Sequence, residues 1–145
     1  MMDRFNRGGV HVIMNLDAIG AAWAPRLLSI LRIMAGLMLL EHGTAKLLKF
    51  PTVPTMANLD LSSMPGVAGF FELIGGALLL LGLFTRPVAF ILAGMTAVAY
   101  FYAHLPRGFF PILNGGELAA LYCFAFLYLA AAGPGPWSID AQRWK

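Results

Sequence analysis

Leu27–Phe50 reads LLSILRIMAGLMLLEHGTAKLLKF, and the fold turns on how this stretch is understood. About 20 apolar residues cross the hydrocarbon core of a bilayer, so the run is long enough to span one. It nevertheless carries Arg32, Glu41, His42 and Lys46. Ionisable groups at that depth are costly and mark a functional site by default. Arg32, Gly36, Leu39, Gly43 and Lys46 recur at steps of four and three, which puts them on one helix face. That face combines two cations with two glycines and suits neighbouring helices better than lipid. His42 lies one turn before Lys46 and adjoins it.

Composition points the same way. Apolar residues make up 59% of the 145 and charged residues 12%, against about 45–50% and 25% in soluble domains. A soluble chain of this size could not hide so much apolar surface, so the chain reads as an integral membrane protein. The formal charge of +3 comes from scattered basic residues, not from a basic polar face. That argues against a nucleic-acid partner. Cys123 stands alone, so neither an internal disulfide nor a CxxC redox pair exists. It reads as a small buried apolar residue. The first residues lack an apolar stretch followed by a small-residue cleavage site, so the first span is expected to act as an uncleaved insertion signal.

Three parts are expected: residues 1–26, cytoplasmic or interfacial; residues 27–132, four membrane helices; and residues 133–145, a cytoplasmic tail. Val10–Ala24 reads either as a short interfacial helix with Trp23 at headgroup level or as a partly ordered tail. Pro25 suits the first turn of the first membrane helix. That helix covers Leu27–Leu48, and Pro51 and Pro54 end it. A loop follows, with a short surface helix around Met56–Ser63. The second span is Gly66–Phe84, where Ala68, Glu72, Gly75, Leu79 and Gly82 share a stripe. Thr85–Pro87 reads as a tight turn joining antiparallel helices. The third span is Val88–His104, with Ala93, Ala97, Tyr100 and His104 on one face. The fourth, Leu118–Ala132, is short for a bilayer. Extending it back to Ile112 brings in Asn114, Gly115, Gly116 and Glu117, so an irregular or shielded start is expected. The fold class is therefore an all-α integral membrane four-helix bundle.

Four spans put both termini on one side. Arg4, Arg7, Arg26, Arg86, Arg143 and Lys145 fall with the termini and the middle turn, and Lys49 and Arg107 in the other two loops. The positive-inside rule then makes the termini cytoplasmic. With that orientation His42, Lys46, Glu72, His104 and Glu117, from all four helices, reach the outer third of the membrane, while Arg32 lies near the inner side. Lys46 would compensate Glu72 and Glu117 in one buried set, with Tyr100 supplying a hydroxyl. Three readings stay open: a ligand or redox-linked proton site, a purely structural glue between helices, and a metal site. For the last, two histidines and two carboxylates are present without HxxH or HxxxH spacing. Glu41 can instead face headgroups. The methionines form no MxxM-type cluster and read as packing. Phosphate-binding loops, GxGxxG and nucleophile elbows are absent from the sequence.

In order along the chain, Arg32 with HGTAKL, then FFELIGGALLLLGLFTRP, NGGELAAL and GPGPWSID give the sequence a clear likeness. It resembles the DoxX family of small bacterial inner-membrane proteins, over roughly Leu27–Asp140. The resemblance implies a four-helix membrane bundle and an association with oxidoreductase chemistry, quinone-linked in some members. It carries over to Arg32, His42, Lys46, Glu72 and Glu117; His104 rests on topology alone. The missing cysteine pair speaks against direct thiol catalysis. No haem or flavin motif is present, so an electron carrier would be a bound quinone or the cofactor of a soluble or membrane redox partner. The alternative is a non-catalytic assembly partner or carrier of a small lipophilic molecule. Glycine-lined faces suit a homo-oligomer. The topology is testable with single cysteines in a Cys123-free background. Thiol labelling should find positions 56 and 107 external and position 86 internal; the reverse pattern would overturn the orientation.

Overall fold

The computed structural model describes residues 3–143, with side chains from residue 16 onward. Its helices are α1 (Asp3–Leu47), α2 (Met64–Leu81), α3 (Thr85–Ala99), α4 (Pro111–Asn114), α5 (Glu117–Ala132) and α6 (Ile139–Arg143). Leu16–Leu47, Met64–Leu81 and Thr85–Arg107 are long and apolar enough to cross a membrane, and α5 is a shorter apolar helix. The protein is an all-α, multi-pass membrane protein. α1 packs along α2, α3 along α5, and a lighter α2–α3 contact joins the two pairs. Leu39, Leu79, Leu92, Phe126 and Leu129 fill the centre.

The α1–α2 seam is a backbone-to-backbone contact. A Cβ on Gly36 would lie 2.8 Å from the Leu80 nitrogen, and one on Gly76 2.7 Å from the Leu40 nitrogen. Ordinary side chains cannot occupy those positions, and small residues are what lets membrane helices approach so closely. The glycine face expected on the first span is therefore consumed inside the chain, and a second copy would have to use another surface.

Three boundaries differ from the sequence expectation. Pro25 lies inside α1 and does not open it; residues 21–27 are all exposed, so the carbonyl freed at Ala21 disturbs no packing. The turn between α2 and α3 falls at Gly82–Phe84. Gly82, at φ +67°, stops α2, and Pro87 sits in the first turn of α3, where its missing N–H is harmless. The loop after α1 holds a 3-10 turn at Pro54–Met56, and no helix over Met56–Ser63. Ser63 Oγ instead accepts from the Gly66 N–H and caps α2. Cys123 is half-buried rather than buried. Arg4, Arg7 and Lys145 lie outside the described side chains.

The segment after α5 folds back over one end of the bundle, here called the tail end. Arg32 is fully buried there. Its Nε donates to the Pro134 carbonyl at 2.8 Å, Nη1 to the carbonyls of Leu79 and of Leu80 (2.9 Å), and Nη2 to that of Trp137. Two of these acceptors are in the last turn of α2, whose carbonyls have no partner within the helix. Asp140 accepts from the Phe84 and Thr85 N–H groups at 2.9 and 2.8 Å and so caps α3. Arg86 donates to the Ala130 and Ala131 carbonyls at 2.9 and 2.5 Å and closes α5.

Burial raises the Asp140 carboxyl, but the Thr85 and Phe84 N–H donors and the Arg32 charge outweigh it and hold the group below the usual carboxylate range. A carboxylate depressed in the folded state contributes stability above its unfolded value of about 3.9, and that stability is lost as pH falls through the folded value. Thermal unfolding in detergent should therefore drop below about pH 4. Asp140→Asn puts an amide where one of the two acceptor oxygens was; it should lose about 1 kcal/mol at pH 7 and show a shallower acid dependence. An equally steep acid limb in the variant would assign it to other carboxylates.

Candidate functional site

The opposite end of the bundle holds a cavity of about 570 Å³, walled by α1, α2, α3 and α5. Its lining is mostly apolar. The α2 and α3 walls include Val67, Phe71, Ile91 and Val98, all of which are exposed. In a bilayer this side faces lipid. The polar groups come from three places.

The first is the α1–α2 seam. Gly69 lies against Lys46 and Leu47, so the two helices stay close where Lys46 reaches Glu72. Side chains on α1 lean toward its N-terminus, which brings the Lys46 ammonium down to the carboxylate. Nζ meets Oε1 at 2.6 Å, and only 12% and 10% of the two side chains are exposed. Oε2 of Glu72 is buried with no hydrogen-bond partner. His42, one turn earlier, also lines the cavity.

The second is the end of α3. Tyr100–His104 widens into a π turn before a 3-10 turn at Leu105–Arg107. Such turns shift the side-chain phase by one residue and concentrate at functional sites. Tyr102, Ala103 and His104 all face the cavity. The Tyr100 ring, expected there from its 3.6-residue phase with His104, instead packs where a Gly116 side chain would lie. His104 Nδ1 sits 3.2 Å from the Asn114 carbonyl. A carbonyl can only accept, so in the neutral ring the proton sits on Nδ1 and Nε2 is left as an acceptor.

The third is α5. Its start is broken and shielded, as expected from the sequence. Asn114 is buried; its Nδ2 donates to the Gly108 carbonyl at 2.7 Å and its Oδ1 accepts from the Gly116 N–H at 2.8 Å. Tyr122, Phe126 and Leu129 form the buried stripe of α5. Tyr122 lines the cavity, 7% exposed, and its hydroxyl is buried without a partner.

Besides Tyr100, two expected members are not at the site. Glu117 is exposed and does not line the cavity. It precedes Tyr122 by five residues, about 140° round the helix from it, and at the first turn of α5 the helix dipole favours its charge without a lysine. The three-member charge set is therefore the Lys46–Glu72 pair alone. Arg32 lies at the tail end, its donors taken by four carbonyls. Tyr102 and Tyr122 were not among the expected residues. For Tyr122 the signal was present: a hydroxyl four and seven residues before Phe126 and Leu129, on the inward stripe.

A family model described as DoxX matches residues 27–105. That range contains Arg32, His42, Lys46, Glu72, Tyr102 and His104, and stops before Asn114 and Tyr122. An uncharacterized protein of Haemophilus influenzae is 46% identical over 127 residues, covering 85% of this chain and 95% of that protein. No solved structure matches the chain.

The ion pair generates a direct test. Lys46→Met alone leaves a buried carboxylate unpaired and should destabilise the protein by about 3–5 kcal/mol in reversible unfolding. Adding Glu72→Gln should recover part of that loss. Strictly additive losses would mean that the two side chains do not interact.

Proposed function

The chain belongs to the DoxX family, and we propose that it is the membrane component of a quinone- or thiol-linked oxidoreductase system, binding a small lipophilic redox ligand in the cavity. The observation that carries this reading is the pair of unsatisfied buried atoms, Glu72 Oε2 and Tyr122 Oη, on two residues that line a mostly apolar cavity. Buried polar atoms are normally hydrogen-bonded, and an unpaired one costs about 1–3 kcal/mol. A ligand with polar groups on an apolar body would satisfy them.

A quinone fits that chemistry. Its carbonyls accept hydrogen bonds, which the Tyr122 hydroxyl and the Lys46 ammonium can donate. Its reduced form carries hydroxyls, which Glu72 Oε2 can accept. Reduction of quinone to quinol takes up two electrons and two protons. Glu72 and His104 are the groups in reach that can pass protons; the electrons must come from a partner protein, since this chain carries no cysteine pair and no flavin or haem motif. We assign Glu72, Lys46, Tyr122 and His104 to ligand binding and proton transfer, with His42 and Tyr102 at the wall. Glu117, Arg32 and Tyr100 are left out of the site. We also place the protein in a bacterial inner membrane with both termini cytoplasmic. Arg26, Arg86 and Arg143 at the tail end support that orientation by the positive-inside rule.

Titration of the purified protein with 2,3-dimethoxy-5-methyl-1,4-benzoquinone, followed by quenching of intrinsic fluorescence, should show saturable binding. Tyr122→Phe should weaken it by about tenfold, the equivalent of one hydrogen bond. Lys46→Met with Glu72→Gln should regain stability but not binding. A double variant that binds like the parent would make the ion pair purely structural. Absence of saturable binding to the parent protein would reject the quinone reading.

A further inference from the structure

The cavity does not end at its apolar wall. A second groove, about 260 Å³, runs along the lipid-facing side between α2 and α3 and shares Phe71 and Ile91 with the cavity. Its further walls include Phe70, Ile74, Leu78 and Val88, and it presents no polar surface. Phe71 to Leu78 is seven residues of helix, so the groove continues for about 10 Å toward the tail end. It exists because α2 and α3 make the lighter of the bundle's helix contacts. Its floor includes Gly75, where an added Cβ would meet the Leu92 side chain at 2.8 Å.

We propose that this groove is the chain-binding subsite of the same ligand, which is therefore a long-chain amphiphile: a polar head at Lys46, Glu72 and Tyr122, and an unbranched or isoprenoid apolar chain lying between α2 and α3. The proposal rests on the cavity reading above. Continuity through Phe71 and Ile91 is what selects the occupant. A molecule whose head sits against Glu72 can pass Phe71 and Ile91, which line both spaces, into this groove. The ligand then enters sideways from the lipid and never crosses water. Bilayer lipid is as apolar as the groove, so the chain gains by packing against Ile74 and Leu78, not by leaving water. The gain is accordingly modest.

The test compares two quinones with the same head, one without a chain and one with a decyl chain, at equal mole fraction in lipid nanodiscs. The parent protein should bind the decyl form about fivefold more tightly, in line with packing alone. Ile74→Trp places a large ring across the groove from an exposed position. It should abolish that gain and leave chainless binding unchanged. Leu81→Trp, exposed on the same helix but off the groove, should keep the gain and so controls for folding and for insertion of the bulkier ring. If the chainless quinone binds and the chain adds nothing, or the gain survives Ile74→Trp, the groove holds only bilayer lipid and this proposal is wrong while the cavity reading stands. If neither quinone binds, the cavity reading fails and this proposal with it.

Discussion

The close approach of α1 and α2 sets where every buried charge in this protein falls. Gly36 faces Leu80, Gly43 faces Leu73 and Gly76 faces Leu40, with no room for a Cβ at any of the three. Backbones that touch cannot slide by a residue without collision. Once that register is fixed, the rest follows by counting along two antiparallel helices. Arg32 is delivered to the last turn of α2, and Lys46 to Glu72. One seam thus produces a closed polar end and an open polar end, about one turn of helix beyond it on either side.

The two ends handle buried charge differently. At the tail end the guanidinium meets only carbonyl oxygens, four of them, and Asp140 is turned toward the N-terminus of α3. Every guanidinium nitrogen and both Asp140 oxygens have a structural partner there, and only the Thr85 hydroxyl is buried without one. At the other end the ammonium has a carboxylate, but the second carboxylate oxygen and a tyrosine hydroxyl have none. At the charged groups the two ends differ in kind: the guanidinium is partnered on every nitrogen, the Glu72 carboxylate on one oxygen of two.

Much of this was legible in the sequence. Apolar run length gave the membrane helices, and the repeated steps of four and three gave the inward face Arg32–Gly36–Leu39–Gly43–Lys46, which the structure buries as a unit. Common depth along the helices brought Lys46, Glu72, His42 and His104 together. Depth says nothing about direction round a helix, and this is why Glu117, at the right level, does not line the cavity. Tyr100 failed for a different reason. A 3.6-residue phase is valid only while the helix keeps that period, and across the π turn at Tyr100–His104 the wall holds His104 without Tyr100. The role of the tail was hidden because Arg32 bonds to backbone carbonyls, which every residue type carries and no side-chain pattern reveals.

The separation of Arg32 from its acceptors has a consequence for biosynthesis. The carbonyls of Pro134 and Trp137 lie 102 and 105 residues further along the chain. The arginine reaches the membrane with the first helix, while those acceptors are still unmade. Until the last segment leaves the ribosome, two of its hydrogen-bonding nitrogens must be met by water, lipid headgroups or an insertion factor. The bundle therefore reports its own completion: a nascent chain stopped after α5 would hold an unfinished cation in the bilayer, the kind of defect that membrane proteases recognise.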